Sequence, residues 1–340
     1  MKIATLQLAP KLGDLQGNIE KANGLLKSNK WGSAGAASPD LLVLPEMALT
    51  GYNFPSLEAV KPYLEPAGDG PSASWARETA KRLKCKVCVG YPEIEENPQS
   101  TDQTTYYNSL LVVDEKGEVI HNYRKSFLYY TDETWAAEGQ VERGFKELAI
   151  QEQQVATSFG ICMDINPYKF EAPFDKWEFA SRVLDSKTQL VILSMAWLTL
   201  LSREELDALK YKPEMDTFNY WLQRFWPLLQ KRMKHEIDID GKTGSPKKVV
   251  IVFANRAGEE PPADETKSEA RYAGTSAIIA VTQKPKSGSE QDSESSDDGE
   301  LPFDVKILCW DLLGAAEEGV CFADTTADPK MVFAIKKSSK

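Results

Sequence analysis

Histidine is nearly absent, with two residues in 340, His121 and His235. Neither has an evident Asp or Asn orienter, so a Cys–His dyad is disfavoured. Positive charge is in deficit: 40 Lys and Arg stand against 51 Asp and Glu, a net charge of −11, which makes nucleic acid a poor partner. No apolar run approaches membrane-spanning length, and no charged-then-apolar leader precedes the first strand pattern, which starts at Lys2. A soluble, cytoplasmic protein with no membrane partner is expected. The five cysteines are an odd number, which argues against a complete disulfide framework and fits a reducing compartment. Cys85 and Cys88 form a C-x-x-C pair, but they lie inside an apolar strand pattern. No second pair is near enough for a metal knuckle, and no turn separates them as a redox motif needs. Core packing is the favoured reading, and neither a metal nor a cofactor is expected.

What the chain does have is apolar material, 42% of its residues, enough for a large core. A single domain over residues 1–340 is expected. Strand patterns fall near residues 2–8, 40–45, 86–91, 107–113, 118–124, 154–162, 189–195, 248–254, 274–281, 305–310, 319–323 and 331–335. Helical periodicity covers 14–28, where Leu15, Ile19, Ala22, Leu25 and Leu26 share a face, and also about 72–84 and 175–186. This alternation predicts an α/β fold with layered sheets. The pair 107–113 and 118–124, joined at Asp114-Glu-Lys-Gly117, reads as an antiparallel hairpin, so the sheet is mixed. Two segments read as insertions. Residues 201–246 carry the aromatic run Phe218-Asn-Tyr-Trp-Leu-Gln-Arg-Phe-Trp226, which suits either a helix over the core or a rim for a peptide substrate. Residues 283–301, rich in Ser, Asp, Glu and Gly, read as an acidic, disordered loop.

Three strand patterns end on chemically active residues. Leu41-Leu-Val-Leu-Pro-Glu46 ends on a carboxylate, and Val119-Ile-His-Asn-Tyr-Arg-Lys125 ends on a cation. The segment 155–170 is a strand that turns sharply at Gly160-Ile-Cys162 and meets Pro167 soon after. A thiol at such a turn lies near free backbone N–H groups, which favour the reactive thiolate. Taken singly, Cys162 also suits a buried strand end, Glu46 a helix cap, and Lys125 a solvated strand end. Together at three strand ends, where reacting groups gather in α/β sheets, they form a candidate hydrolytic set.

The residues Ile3-Ala-Thr-Leu-Gln-Leu8, Leu44-Pro-Glu-Met47, Tyr123-Arg-Lys125, Gly160-Ile-Cys-Met-Asp164, Leu193-Ser-Met-Ala-Trp197, Asn255-Arg-Ala-Gly258 and Tyr272-Ala-Gly-Thr-Ser276 resemble the nitrilase (carbon–nitrogen hydrolase) superfamily. The run Ile161-Cys-Met-Asp-Ile-Asn-Pro-Tyr-Lys-Phe170 is most similar to the fungal protein N-terminal amidases, which hydrolyse the side-chain amide of an N-terminal Asn or Gln. The resemblance implies a four-layer α-β-β-α sandwich with two six-stranded sheets. It also implies a product that enters the N-degron route of protein degradation, and it allows a homodimer built through a helical face.

Amide hydrolysis needs a nucleophile, a proton carrier and an oxyanion stabiliser. With histidine excluded, Glu46 is the candidate base for Cys162. Lys125, with the backbone N–H of Met163, is the candidate oxyanion partner. The resemblance implies the same roles for Glu46, Lys125 and Cys162. It adds a second glutamate after the lysine, best matched by Glu133, with Glu138 as fallback. A substrate α-ammonium would need an acid, for which Asp164, Asp132 and Glu133 are nearest in sequence. Asp164 suits a structural role at its turn better. Trp197 and Tyr52 either line the acyl pocket or pack in the core. Two further readings stay open: a small-amide amidase of the same superfamily, and an inactive scaffold that binds protein termini.

Overall fold

The computed structural model describes residues 1–29, 31, 38–96, 104–235, 246–262, 269–286 and 301–334. Most of the acidic segment 283–301 lies outside the described residues, as do the last ten residues or so of the 201–246 insertion.

Two mixed sheets form the centre. In the first, the strand order is Gly319–Asp324, Lys2–Gln7, Leu41–Val43, Lys86–Glu95, Thr105–Val113 and Val119–Arg124, with Glu65–Pro66 added beside Lys86–Glu95. In the second it is Met331–Ala334, Phe303–Leu312, Ala277–Pro285, Lys247–Asn255, Leu190–Met195, Gln153–Ile161 and Phe145–Ile150. Each sheet therefore has seven strands where six were expected. The strand Phe145–Ile150 escaped the sequence pattern because it is an edge that buries only Leu148 and Ile150. It joins Gln153–Ile161 through the two-residue loop Gln151-Glu152, both at positive φ (49° and 66°). That loop geometry is normally announced by Asn-Gly, and Gln-Glu gives no such cue.

The period-2 pattern explains the layering. In the first sheet Ile3, Leu41, Val43, Cys88, Leu110 and Val112 join the core shared with the second sheet. Their strand neighbours Ala4, Leu6, Leu42, Val87, Val89, Leu111 and Val113 pack instead with residues of the helices Leu15–Ser28 and Pro71–Leu83. Because both faces are buried, central strands such as Leu41–Val43 read as continuous apolar runs. Helices Glu178–Asp185 and Trp226–Gln230 supply Phe179, Ala180, Val183, Leu228 and Leu229 to the core of the second sheet. The result is the expected α-β-β-α sandwich. The pair Cys85 and Cys88 is divided between its two cores, all five cysteines are free, and burial pushes the Cys85 thiol up to about 12.

The topology brings three strand ends together. Leu41–Val43 and Lys86–Glu95 run parallel, and two antiparallel pairings later Val119–Arg124 points the same way. In the second sheet Gln153–Ile161, Leu190–Met195 and Lys247–Asn255 are all parallel. Glu46, Lys125 and Cys162 each sit just beyond the C-terminal end of one of these strands.

Candidate active site

Glu46 follows Leu44-Pro45 in a turn where Met47 takes a left-handed φ of 45°. A strand glycine makes room for it. A Cβ on Gly90 would lie 2.7 Å from Met47 N and 2.9 Å from Glu46 Cα, so only glycine admits the Glu46 backbone there. Cys162 itself has φ 42°, in the strained left-handed region, and starts a short 3-10 turn, Cys162–Ile165. Gly160 serves close packing and not a left-handed bend: a Cβ there would come within 2.8 Å of both Leu193 and Phe179.

The side chains converge. Lys125 is fully buried, and its Nζ donates to Glu46 Oε1 at 2.7 Å and to Asp132 Oδ2. Asn108 Nδ2 bridges the same two carboxylates, at 2.6 Å to Glu46 Oε1 and 2.9 Å to Asp132 Oδ1. The Ala196 N–H donates to Glu46 Oε2 at 2.8 Å and also faces the Cys162 thiol. Tyr52 donates its hydroxyl to Asp132 Oδ2 at 3.2 Å, and its ring centre is 5.5 Å from Lys125 Nζ.

The lysine's second carboxylate is therefore Asp132, and neither Glu133 nor Glu138 takes that place. Glu133 is exposed, and exposed Glu138 accepts from Tyr168 Oη at 2.9 Å. In the 3-10 turn Asp132–Thr134 one residue rotates the side chain by about a third of a turn, which turns Asp132 inward and its neighbour outward. Asp132 is also unavailable to a substrate cation, since it accepts from Lys125, Tyr52, Asn108 and the Tyr129 N–H.

Asp164 ties two of these turns together. Its carboxylate accepts from the N–H groups of Ile161 (2.7 Å), Phe127 (2.8 Å) and Ser126 (3.0 Å) and from Tyr123 Oη (2.8 Å). It thereby joins the Cys162 turn to the chain leaving Lys125. A second buried anchor went unnoticed in the sequence. Glu260 accepts from the N–H groups of Tyr52 (3.1 Å) and Asn53 (2.8 Å), from Tyr272 Oη (2.5 Å) and from Arg256, and so fixes the loop after Glu46. Asn108 was also missed. A polar residue in the buried run Ser109-Leu-Leu-Val-Val113 and its approach was the available signal.

Electrostatics follow from burial. It pushes the Cys162 thiol well above its ordinary value, with Glu46 adding to the rise and Lys125 opposing it. Glu46 is also raised, by burial first, against the pull of Lys125. Burial alone would lower the Lys125 ammonium, but Asp132 and Glu46 outweigh it and hold it above its ordinary value. Burial thus favours the neutral thiol at Cys162, while the carboxylates favour the charged form of Lys125.

A cavity of about 460 Å³ opens over this cluster. Cys162, Met163, Ala196, Tyr52, Tyr129 and Trp197 line it, and so do Glu214, Asp216, Thr217 and Tyr220 from the insertion. One helix, Met215–Arg224, both covers the core and lines the cavity. Phe218 and Trp221 are buried, with Trp221 stacked on Phe253 at 5.0 Å, while Tyr220 reaches the cavity and packs on Trp197 at 5.6 Å. Trp197 and Tyr52 are likewise both packed and pocket-lining. Neither histidine lines the cavity, and burial lowers both to about 4. Among the described residues, no group of three or more His, Cys, Asp or Glu is arranged to hold a metal ion, and no helix is long and apolar enough to cross a membrane.

Residues 2–166 match the family described as carbon-nitrogen hydrolase. The protein N-terminal amidase of Schizosaccharomyces pombe is 33% identical over 83% of this chain and 92% of its own length. The protein N-terminal amidase of Saccharomyces cerevisiae is 29% identical over 91% of this chain and 92% of its own. A crystal structure of an N-terminal amidase with an Asn-Glu peptide shares the fold, with a TM-score of 0.71 at 22% identity over 99% of both chains. The chain belongs to the carbon-nitrogen hydrolase family.

Proposed function

We propose that this protein is a thiol amidohydrolase that converts the side-chain amide of an N-terminal Asn or Gln into a carboxylate and releases ammonia. The observation that carries this reading is Cys162 on the floor of an open cavity, with the hydrogen-bonded pair Glu46 and Lys125 buried within electrostatic reach of its thiol. The similarity to two yeast N-terminal amidases over most of the chain narrows the substrate.

The chemistry follows from the contacts. Glu46 takes the thiol proton as the Cys162 sulfur forms a bond to the amide carbon. A free thiolate is disfavoured by burial, so the two events are coupled. The oxygen that becomes negative is met by the Lys125 ammonium and by the Met163 N–H, which attract the oxyanion more strongly than the neutral carbonyl. The tetrahedral adduct collapses, the C–N bond breaks, and the nitrogen leaves as ammonia with the proton held by Glu46. Water then gives a proton to Glu46 and attacks the thioester. The C–S bond breaks, the carboxylic acid forms, and the sulfur recovers its proton. Asp132 and Asn108 hold Lys125 and Glu46 in place throughout. The acidic N-terminus produced would feed the N-degron route, and the free thiols suit a reducing cytoplasm.

Mass spectrometry and ammonia release on peptides beginning with Asn, Gln, Asp or acetyl-Asn test this. Conversion of the first two is expected. Hydrolysis of a small free amide without conversion of either peptide would replace this reading with a small-amide amidase.

A further inference from the structure

If the substrate carries a free α-ammonium, the site must supply an acid for it, and the acids near the reacting groups in sequence do not offer one. Asp132 serves Lys125, Asp164 serves the turns, and Glu133 is outside the cavity. The lining offers two others, Glu214 and Asp216. Asp216 is exposed, so water screens it.

Glu214 is different. It stands at the N-cap position of the ten-residue helix Met215–Arg224, yet its side chain makes no capping hydrogen bond. Its backbone is fixed, because its N–H donates to Thr275 Oγ1 at 2.9 Å. Its Oε2 atom is buried without a hydrogen-bond partner. Burial raises its pKa, and the Thr199 and Thr217 hydroxyls lower it only in part. Both threonines line the same cavity. A half-buried carboxylate with an orphaned oxygen costs stability, and it requires an explanation beyond packing. A cationic ligand group supplies one: a turn of the carboxylate towards the cavity that Glu214 lines would pair it with an ammonium there, which satisfies the oxygen and restores charge balance.

We infer that Glu214 receives the α-ammonium of the substrate's first residue, which makes a free amino terminus the feature that the site reads. This rests on the N-terminal amidase reading. In Asn two carbons separate the amide carbon from the amine nitrogen, and in Gln three, so the receiving acid must share the cavity with Cys162 and tolerate one methylene of difference. Glu214 meets both conditions, since its side chain has three rotatable bonds on a fixed backbone.

The test is steady-state kinetics of the wild type, Glu214→Gln and Glu214→Asp on an Asn-initiated peptide and its N-acetylated form. The wild type is expected to prefer the free amine. Glu214→Gln should raise KM for the free-amine peptide by about ten- to a hundred-fold, as expected for loss of one charge-assisted contact, with kcat little changed. It should leave the acetylated peptide unaffected. Glu214→Asp, which keeps the charge, should recover part of the loss and guards against a folding artefact. An unchanged preference for the free amine in Glu214→Gln would overturn the assignment while leaving the amidase reading intact. Equal turnover of both peptides by the wild type would do the same. No conversion of either peptide by the wild type would overturn both.

Discussion

Replacing Asp132 by Asn separates the geometry seen here from the sequence match that favoured Glu133. The swap keeps the shape and removes a charge. Asp132 accepts from the Lys125 ammonium, Asn108 Nδ2, Tyr52 Oη and the Tyr129 N–H, so all its neighbours are donors. An Asn there must turn its NH₂ towards one of them. The buried ammonium keeps only Glu46, at 2.7 Å, as counter-charge. Breaking a buried pair outright costs about 3–5 kcal/mol, and with one partner retained the lower end, about 3 kcal/mol, is expected in unfolding free energy. Lys125 would also lean on Glu46, which weakens the base and displaces the oxyanion partner. A fall in kcat of about 10²–10³ is expected, on the scale of losing one oxyanion donor. Because Asp132 helps to hold the lysine's pKa up, the alkaline limb of the rate profile should move to lower pH. Exposed Glu133→Gln should change kcat by less than about two-fold and stability by no more than about 0.5 kcal/mol. Ammonia release against pH, with urea denaturation of both variants, checks this. A normal kcat in Asp132→Asn beside a large loss in Glu133→Gln would refute the reasoning.

Cys162→Ala should abolish ammonia release and thioester capture while leaving the melting temperature near that of the wild type; any retained turnover would remove the sulfur from the mechanism. Gly90→Ala forces a Cβ to within 2.7 Å of the Met47 nitrogen, so it should cost about 1–3 kcal/mol and lower kcat by displacing Glu46, as seen in thermal melts and turnover. Raised by burial, Glu46 should put the acid limb of kcat/KM above its ordinary value of 4.5, because activity needs it ionised. Glu65, buried at the start of the helix Pro71–Leu83, is raised to about 7 by burial against its Ser72 contacts. Its folded pKa exceeds the unfolded 4.5, so its contribution is present below pH 4.5 and is lost as pH rises through about 7, by at most about 3 kcal/mol. Glu65→Gln should flatten that part of the stability profile, and a wild-type-like slope would exclude Glu65 as its source.

Much of this was written in the chain. The residues Glu46, Lys125 and Cys162 stand at the ends of apolar strand runs, and local pattern suffices to find strand ends. The helices Leu15–Ser28 and Pro71–Leu83 fall within a residue of their predicted limits, because a one-sided apolar stripe is a local property. The shortage of histidine already pointed to a carboxylate as the candidate proton carrier. The structure decided what depends on direction in space. Asp132 faces the lysine and Glu133 faces water because a tight turn rotates neighbours apart. Phe145–Ile150 joins a sheet through a left-handed loop that its residues do not advertise. Asn108 and Glu260 hold the site from strands and loops distant in sequence, and their partners become visible only once the sheets are stacked. The same holds for Glu214, whose unpaired oxygen is a fact about its surroundings. A one-dimensional pattern records which side chains are available; hydrogen bonds between remote residues depend on their orientation, and packing alone sets that.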